Sequence, residues 1–157
     1  MSESKYDFTR IPLIWVKPNL SEKITSGPGV YQVYGDSPIY GTNTLLYIGQ
    51  ADNLSKRIKG GHLKNLESFI TKQPNIYFRY AKVKHNLLNI VESILIAMHK
   101  PSFNSSYIIN VHHDATLEAY YMQNHGDRGM LHLEVTNFYF FREYIDRAKN
   151  DDLDLIF

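Results

Sequence analysis

Val30-Tyr31-Gln32-Val33-Tyr34, followed by Thr44-Leu45-Leu46-Tyr47-Ile48-Gly49, is the stretch that decides the fold. Both runs are rich in β-branched and aromatic residues, which fit a pleated, half-buried surface and read as strands. Ser26-Gly27-Pro28-Gly29 is a turn signal before the first run. Gly35-Asp36-Ser37-Pro38 and Gly41-Thr42-Asn43 punctuate a loop between the two, so the strands are expected to pair as a hairpin. Downstream, Asp52-Asn53 can cap a helix whose face is Leu54, Arg57 and Ile58, and Gly60-Gly61 ends it. Leu63 to Thr71 reads as a second helix, and the alternating run Ile76 to Val83 as a third strand. Asn86 to His99 gives the clearest helix, with Leu87, Val91, Ile94, Leu95 and Met98 on one face and Pro101 as its stop.

Outward from this block the signals thin. Residues 1–26 read as an N-terminal extension with one apolar stretch, Ile11 to Val16. In residues 106–157, Asp114 can cap a helix through Met122 that ends near Gly126. Leu131 to Phe141 is strand-like, Arg142 to Lys149 a short helix, and Asp151-Asp152-Leu153-Asp154 an acidic tail. The expectation is an α+β fold: a small three-stranded, mainly antiparallel sheet flanked by helices, formed by residues 27–105. Extensions at 1–26 and 106–157 would follow it, the latter an α/β element for dimerisation or DNA recognition.

The chain has 157 residues, the length of one domain or one domain with an extension. It has no cysteine, which excludes a disulfide scaffold, a cysteine-based zinc site and a cysteine nucleophile. With 43% hydrophobic and 21% charged residues, the composition is that of a folded protein. No apolar run approaches the roughly 20 residues a membrane helix needs, and the N-terminus lacks a secretory pattern. An intracellular, cytoplasmic protein is expected. The net charge of +1 hides an asymmetry: residues 27–105 carry nine basic and four acidic side chains, and residues 106–157 four basic and nine acidic. A basic block is the electrostatic footprint of a phosphate-backbone partner, although a solvated face gives the same pattern.

Four residues of this block can carry chemistry. Glu92 lies at the edge of the apolar face of its helix, about 40° beyond Leu88, where a carboxylate is half buried and can face a cleft. Arg57 sits one turn past its helix cap, and Tyr31 and Tyr47 lie on the two hairpin strands. Taken singly, each is equally well an ordinary surface or packing residue. The adjacent His112 and His113 point apart in either regular conformation, so a shared metal is not expected. No phosphate-cradling glycine loop and no Gly-x-Ser-x-Gly elbow is present.

In order and spacing these residues resemble the GIY-YIG nuclease family. Gly29-Val30-Tyr31 stands as the first motif and Tyr47-Ile48-Gly49 as the second. Arg57 follows Gly49 by eight residues inside Asp52-Asn53-Leu54-Ser55-Lys56-Arg57, and His62 follows by five more. Glu92 lies in Val91-Glu92-Ser93-Ile94, and Asn104 closes the pattern after Pro101. The resemblance covers residues 27–105. Gln32 to Leu46 is long for the family and suggests a longer hairpin loop. The motif region is similar to the N-terminal nuclease module of bacterial excision-repair incision enzymes. In size, with extensions at both ends, the chain resembles the family's compact restriction endonucleases.

The resemblance implies the fold anticipated above and a metal-dependent DNA endonuclease, of restriction or mobile-element type. It implies Mg²⁺ or Mn²⁺ on Glu92. Arg57 would clamp the scissile phosphate, and Tyr31 would act as general base or orient the attacking water. Tyr47 would position the water or Tyr31, and His62 would contact the phosphate or assist the base. Gly29, Gly49 and Asn104 would support the site, and Lys56, Lys59 and Lys64 would contact DNA. A palindromic cut by single-site subunits needs two copies, so the restriction reading implies a homodimer. A structure-selective repair or recombination nuclease and a non-catalytic nucleic-acid-binding module are the alternatives.

Overall fold

The structure, a computed structural model, describes residues 8–19, 23–59, 75–104 and 119–137. In chain order these hold β1 (Phe8–Val16), β2 (Gly29–Ser37), β3 (Gly41–Ala51), α1 (Leu54–Lys59), β4 (Tyr77–Lys82), α2 (Leu88–His99), β5 (Ala119–Gly126) and β6 (Glu134–Thr136). A 3₁₀ turn at His85–Leu87 leads into α2. The six strands form one sheet in the order β3-β2-β4-β1-β5-β6. Neighbours are antiparallel except β1 and β5, which run parallel from Phe8↔Ala119 to Trp15↔Gly126.

This overturns the expected α+β fold with a small three-stranded sheet flanked by helices. The described chain is mostly β: a six-stranded mixed sheet with helices of only six and twelve residues. The three anticipated strands are present and adjacent as β3-β2-β4, but the sheet continues beyond them. The apolar stretch from Ile11 alternates at period two. Ile11, Leu13 and Trp15 are buried, whereas Ile14 between them is 68% exposed. That is the signature of a strand with one covered face. At the other terminus Ala119–Gly126 is a strand where a helix through Met122 was expected. Tyr120-Tyr121 favours the pleated surface, and Met122 and Asn124 point together into the core.

The anticipated long hairpin loop is also absent. β2 and β3 run on to Ser37 and Gly41, with irregular register between Val33 and Tyr34 and between Gly35 and Ser37. The extra residues lengthen the strands, and a tight turn joins them. There the Ser37 hydroxyl accepts from the Ile39 and Tyr40 N–H groups, both at 3.2 Å.

Each face of the sheet packs its own core. α2 covers one side, where Val91, Ile94 and Leu95 meet Val30, Ile48, Ala81, Leu13, Trp15 and Met122. α1 covers part of the other, with Leu54 and Ile58 against Tyr31, Val33, Leu46 and Tyr80. α2 ends as its sequence indicates. Lys100 turns into the left-handed region at φ 45°, its N–H still reaches Ile96 O at 2.7 Å, and Pro101 follows. The anticipated helices at 63–71 and 142–149, the His112-His113 pair and the acidic tail lie outside the described residues.

Candidate active site

The site is built where β2, β3, α1 and α2 meet. Tyr31↔Gly49 is a cross-strand pair of β2 and β3, which puts the phenol of Tyr31 over a residue without a side chain. A Cβ at Gly49 would stand 2.6 Å from the Tyr31 hydroxyl oxygen and 2.8 Å from the Tyr47 ring. Only glycine leaves room for both rings, which lie 6.1 Å apart and are tilted by 37°. Gly29 has a similar role, because a Cβ there would run into Ala81 O and the Leu54 side chain. It lets α1 lie directly on β2, helped by the Leu54 N–H donating to Gly27 O at 2.9 Å.

α1 carries Arg57 to the pocket. Its start is capped as the sequence suggests: the Lys56 N–H donates to Asn53 Oδ1 at 3.1 Å, satisfying one of the orphan donors of a helix N-terminus. α2 supplies Glu92, which is only 5% exposed although it is a carboxylate. Gln50 reaches it from β3, donating from Nε2 to Glu92 Oε2 at 2.6 Å and to Asn89 Oδ1 at 2.7 Å. Asn104 closes the arrangement from behind. Its Nδ2 donates to Ile48 O at 2.8 Å and its Oδ1 accepts the Ile48 N–H at 2.9 Å. β3 is the edge of the sheet. The Asn104 amide thus supplies the pairing that Ile48, between Tyr47 and Gly49, would otherwise lack.

Tyr31, Tyr47, Arg57 and Glu92 line one pocket of about 330 Å³, together with Gln50, Ala51 and Asp52. Four of the anticipated catalytic residues, from four separate elements, therefore converge. Gly29, Gly49 and Asn104 support them through close approach and hydrogen bonds. Lys56 is exposed on α1. His62 and Lys64 lie outside the described residues, as does the side chain of Lys59. Gln50 and Asn89 were not singled out from sequence, and Asp52 only as part of a helix cap, yet each had a signal. Gln50 directly follows Tyr47-Ile48-Gly49, Asp52 precedes the α1 cap, and Asn89 lies three residues before Glu92 on the same helix face.

The electrostatics separate the roles. Burial pushes the Glu92 carboxyl above its ordinary value, against the lowering pull of the Gln50 hydrogen bonds and the Arg57 charge. Tyr31 is pushed up further, first by burial and then by Tyr47 and Glu92, with Arg57 opposing. Burial favours the neutral phenol of Tyr31, whose hydroxyl can orient a water.

Among the described residues no three His, Asp or Glu side chains converge as a metal cage. The donor set fits a hard cation such as Mg²⁺, which keeps several waters and uses one or two carboxylates plus substrate phosphates. Glu92 is a desolvated carboxylate facing a polar pocket, and cation binding would favour its charged form.

Among the described residues no helix is long and apolar enough to cross a membrane. Compared with family models, curated proteins and solved structures, the chain matches none.

Proposed function

We propose that this chain is a metal-dependent DNA endonuclease of the GIY-YIG type, acting as a restriction or mobile-element enzyme. The observation that carries the reading is the convergence of Tyr31, Tyr47, Arg57 and Glu92 on one pocket. These residues are spread over 62 positions of sequence, and their order alone had suggested a common site.

In this reading Glu92 would hold Mg²⁺ or Mn²⁺, with Gln50 fixing its orientation. The metal supplies Lewis-acid stabilisation of charge on the phosphate and on the departing 3′ oxygen. Arg57 binds the scissile phosphate and offsets the negative charge that grows in the transition state. Tyr31 orients the attacking water and Tyr47 holds Tyr31. Of the two roles open to Tyr31, burial favours orientation over proton abstraction.

The test is cleavage of plasmid, genomic DNA, a flap, a four-way junction and an RNA hairpin, each with Mg²⁺, Mn²⁺ or chelator. Discrete duplex fragments that require the metal are expected. Cutting confined to branched DNA would replace the restriction reading with a repair or recombination role. Binding without cutting in any metal would refute the enzyme.

A further inference from the structure

A second concavity, of about 320 Å³, lies at the same end of the sheet as the catalytic pocket. It is lined by Ser26, Gly27 and Pro28 on one side and by Lys82, Val83 and Lys84 on the other. The Val83 N–H donates to Pro28 O at 3.2 Å, which ties the two walls together. At Gly27 an added Cβ would meet no atom within 4 Å. Both lysines are exposed. Asp52 lines the catalytic pocket and not this groove, and it meets His85, Nε2 to Oδ1 at 2.9 Å; the charged side chains that line the groove are the two lysines.

The sheet register fixes where this groove lies relative to the chemistry. Gly29 pairs with Ala51 of β3 on one side and with Lys82 of β4 on the other. Ala51 lines the catalytic pocket and Lys82 lines the groove. Two strand spacings separate them, about 10 Å. Tyr31 and Tyr80 are paired across β2 and β4. Lys82, two residues beyond Tyr80, therefore emerges on the Tyr31 face of the sheet. The start of α1 rises between the two depressions, where Leu54 lies over Gly29.

We infer that the Ser26–Pro28/Lys82–Lys84 groove is a second phosphate-binding subsite. It holds the backbone of the same DNA strand one or two phosphates from the scissile bond. The number follows from the roughly 10 Å offset and the separation of neighbouring phosphates on one strand, about twice the 3.4 Å axial rise. The subsite rests on the nuclease reading for its register, not for its chemistry: two exposed lysines flanking a largely apolar groove suit the anionic backbone whether or not the neighbouring pocket cuts.

The experiment compares the wild-type chain with Lys82→Ala/Lys84→Ala. DNA affinity is measured by fluorescence anisotropy in chelator at several salt concentrations, and hydrolysis of bis(p-nitrophenyl) phosphate is measured with Mn²⁺. Affinity is expected to fall about tenfold and the salt slope by about 1, with hydrolysis of the small diester unchanged. Single methylphosphonate substitutions along the duplex are expected to weaken wild-type binding at a position one or two phosphates from the cut, and the double variant is expected to be indifferent there. Unchanged affinity and slope in the variant would overturn the subsite, as would an equal loss on the small diester. If the wild type hydrolyses neither substrate yet loses affinity and slope with the lysines, the nuclease reading fails and the groove stands.

Discussion

Glu92 shows how a single residue can set function against stability. The residue is 5% exposed, and burial raises the pKa of its carboxyl above the ordinary 4.5. The sign of the linkage follows: the folded state prefers the protonated form. Ionisation at neutral pH therefore subtracts from stability, and the penalty vanishes below the ordinary carboxylate range, where both states are protonated. Glu92→Gln keeps an oxygen to accept from Gln50 and removes the buried charge. It is expected to raise the thermal midpoint at pH 7, with the gain shrinking as pH falls towards 3, while cleavage is lost. A pH series of melting curves checks this, and an equal or lower midpoint at pH 7 would contradict it. In the proposed mechanism Arg57 binds the phosphate, beside its pull on the Glu92 carboxyl. Arg57→Ala is expected to slow cleavage by about 10²–10³-fold, the usual loss for one preorganised charge-stabilising donor. Single-turnover rates would show the drop, with melting curves to confirm an intact fold.

At the scale of elements, the two motif strands depend on supports that lie outside them. Asn104 closes the free edge of β3 by a two-point amide pairing with Ile48. Asn104→Ala strips partners from buried backbone groups, so stability should fall by about 1–3 kcal/mol. Because the loosened segment carries Tyr47, activity should drop as well, since a displacement of about 1 Å can lower a rate by about 10²-fold. Urea midpoints alongside rates measure both effects. Asn104 came only with the family resemblance, whereas β2, β3, β4, α2 and the α1 cap were legible because each has a strong local signal. β1 and β5 were not. Six apolar residues from Ile11 do not announce what they pair with, and their partner strand lies more than a hundred residues away. Ala119–Gly126 carries helix-compatible residues whose conformation is decided by burial of Met122 and Asn124 against the sheet. Tertiary context overrode weak local preference there. Gln50 was missed for another reason: its place after Tyr47-Ile48-Gly49 marks the position, but its role appears only in the contact with Glu92.

For the whole molecule, the sheet binds sequence segments that composition had suggested were separable. β1, from residues 1–26, and β5, from residues 106–157, lie side by side in the sheet that carries the motif strands. Trp15, 1% exposed, donates from Nε1 to Asn124 Oδ1 at 2.9 Å, and Asn124 Nδ2 donates in turn to His132 O at 2.8 Å. His99 at the end of α2 accepts the His132 N–H at 2.9 Å, so the same connection reaches the helix that carries Glu92. Removing residues 1–16 would uncover the Leu13 and Trp15 pockets and leave the Asn124 amide without its buried partner. The truncated chain is therefore expected to lose its near-ultraviolet circular dichroism and its cooperative melting. A native-like truncated core would contradict a single cooperative sheet.

The most direct test of the central claim is Mg²⁺-dependent cleavage of supercoiled plasmid by the wild-type chain and by Glu92→Gln, with both shown to be folded. The site described here predicts metal-dependent cutting by the wild type and none by a variant that melts at least as high. Equal cutting by both, or none by the wild type with Mg²⁺ or Mn²⁺, would mean that Tyr31, Tyr47, Arg57 and Glu92 share a pocket for some purpose other than phosphodiester hydrolysis.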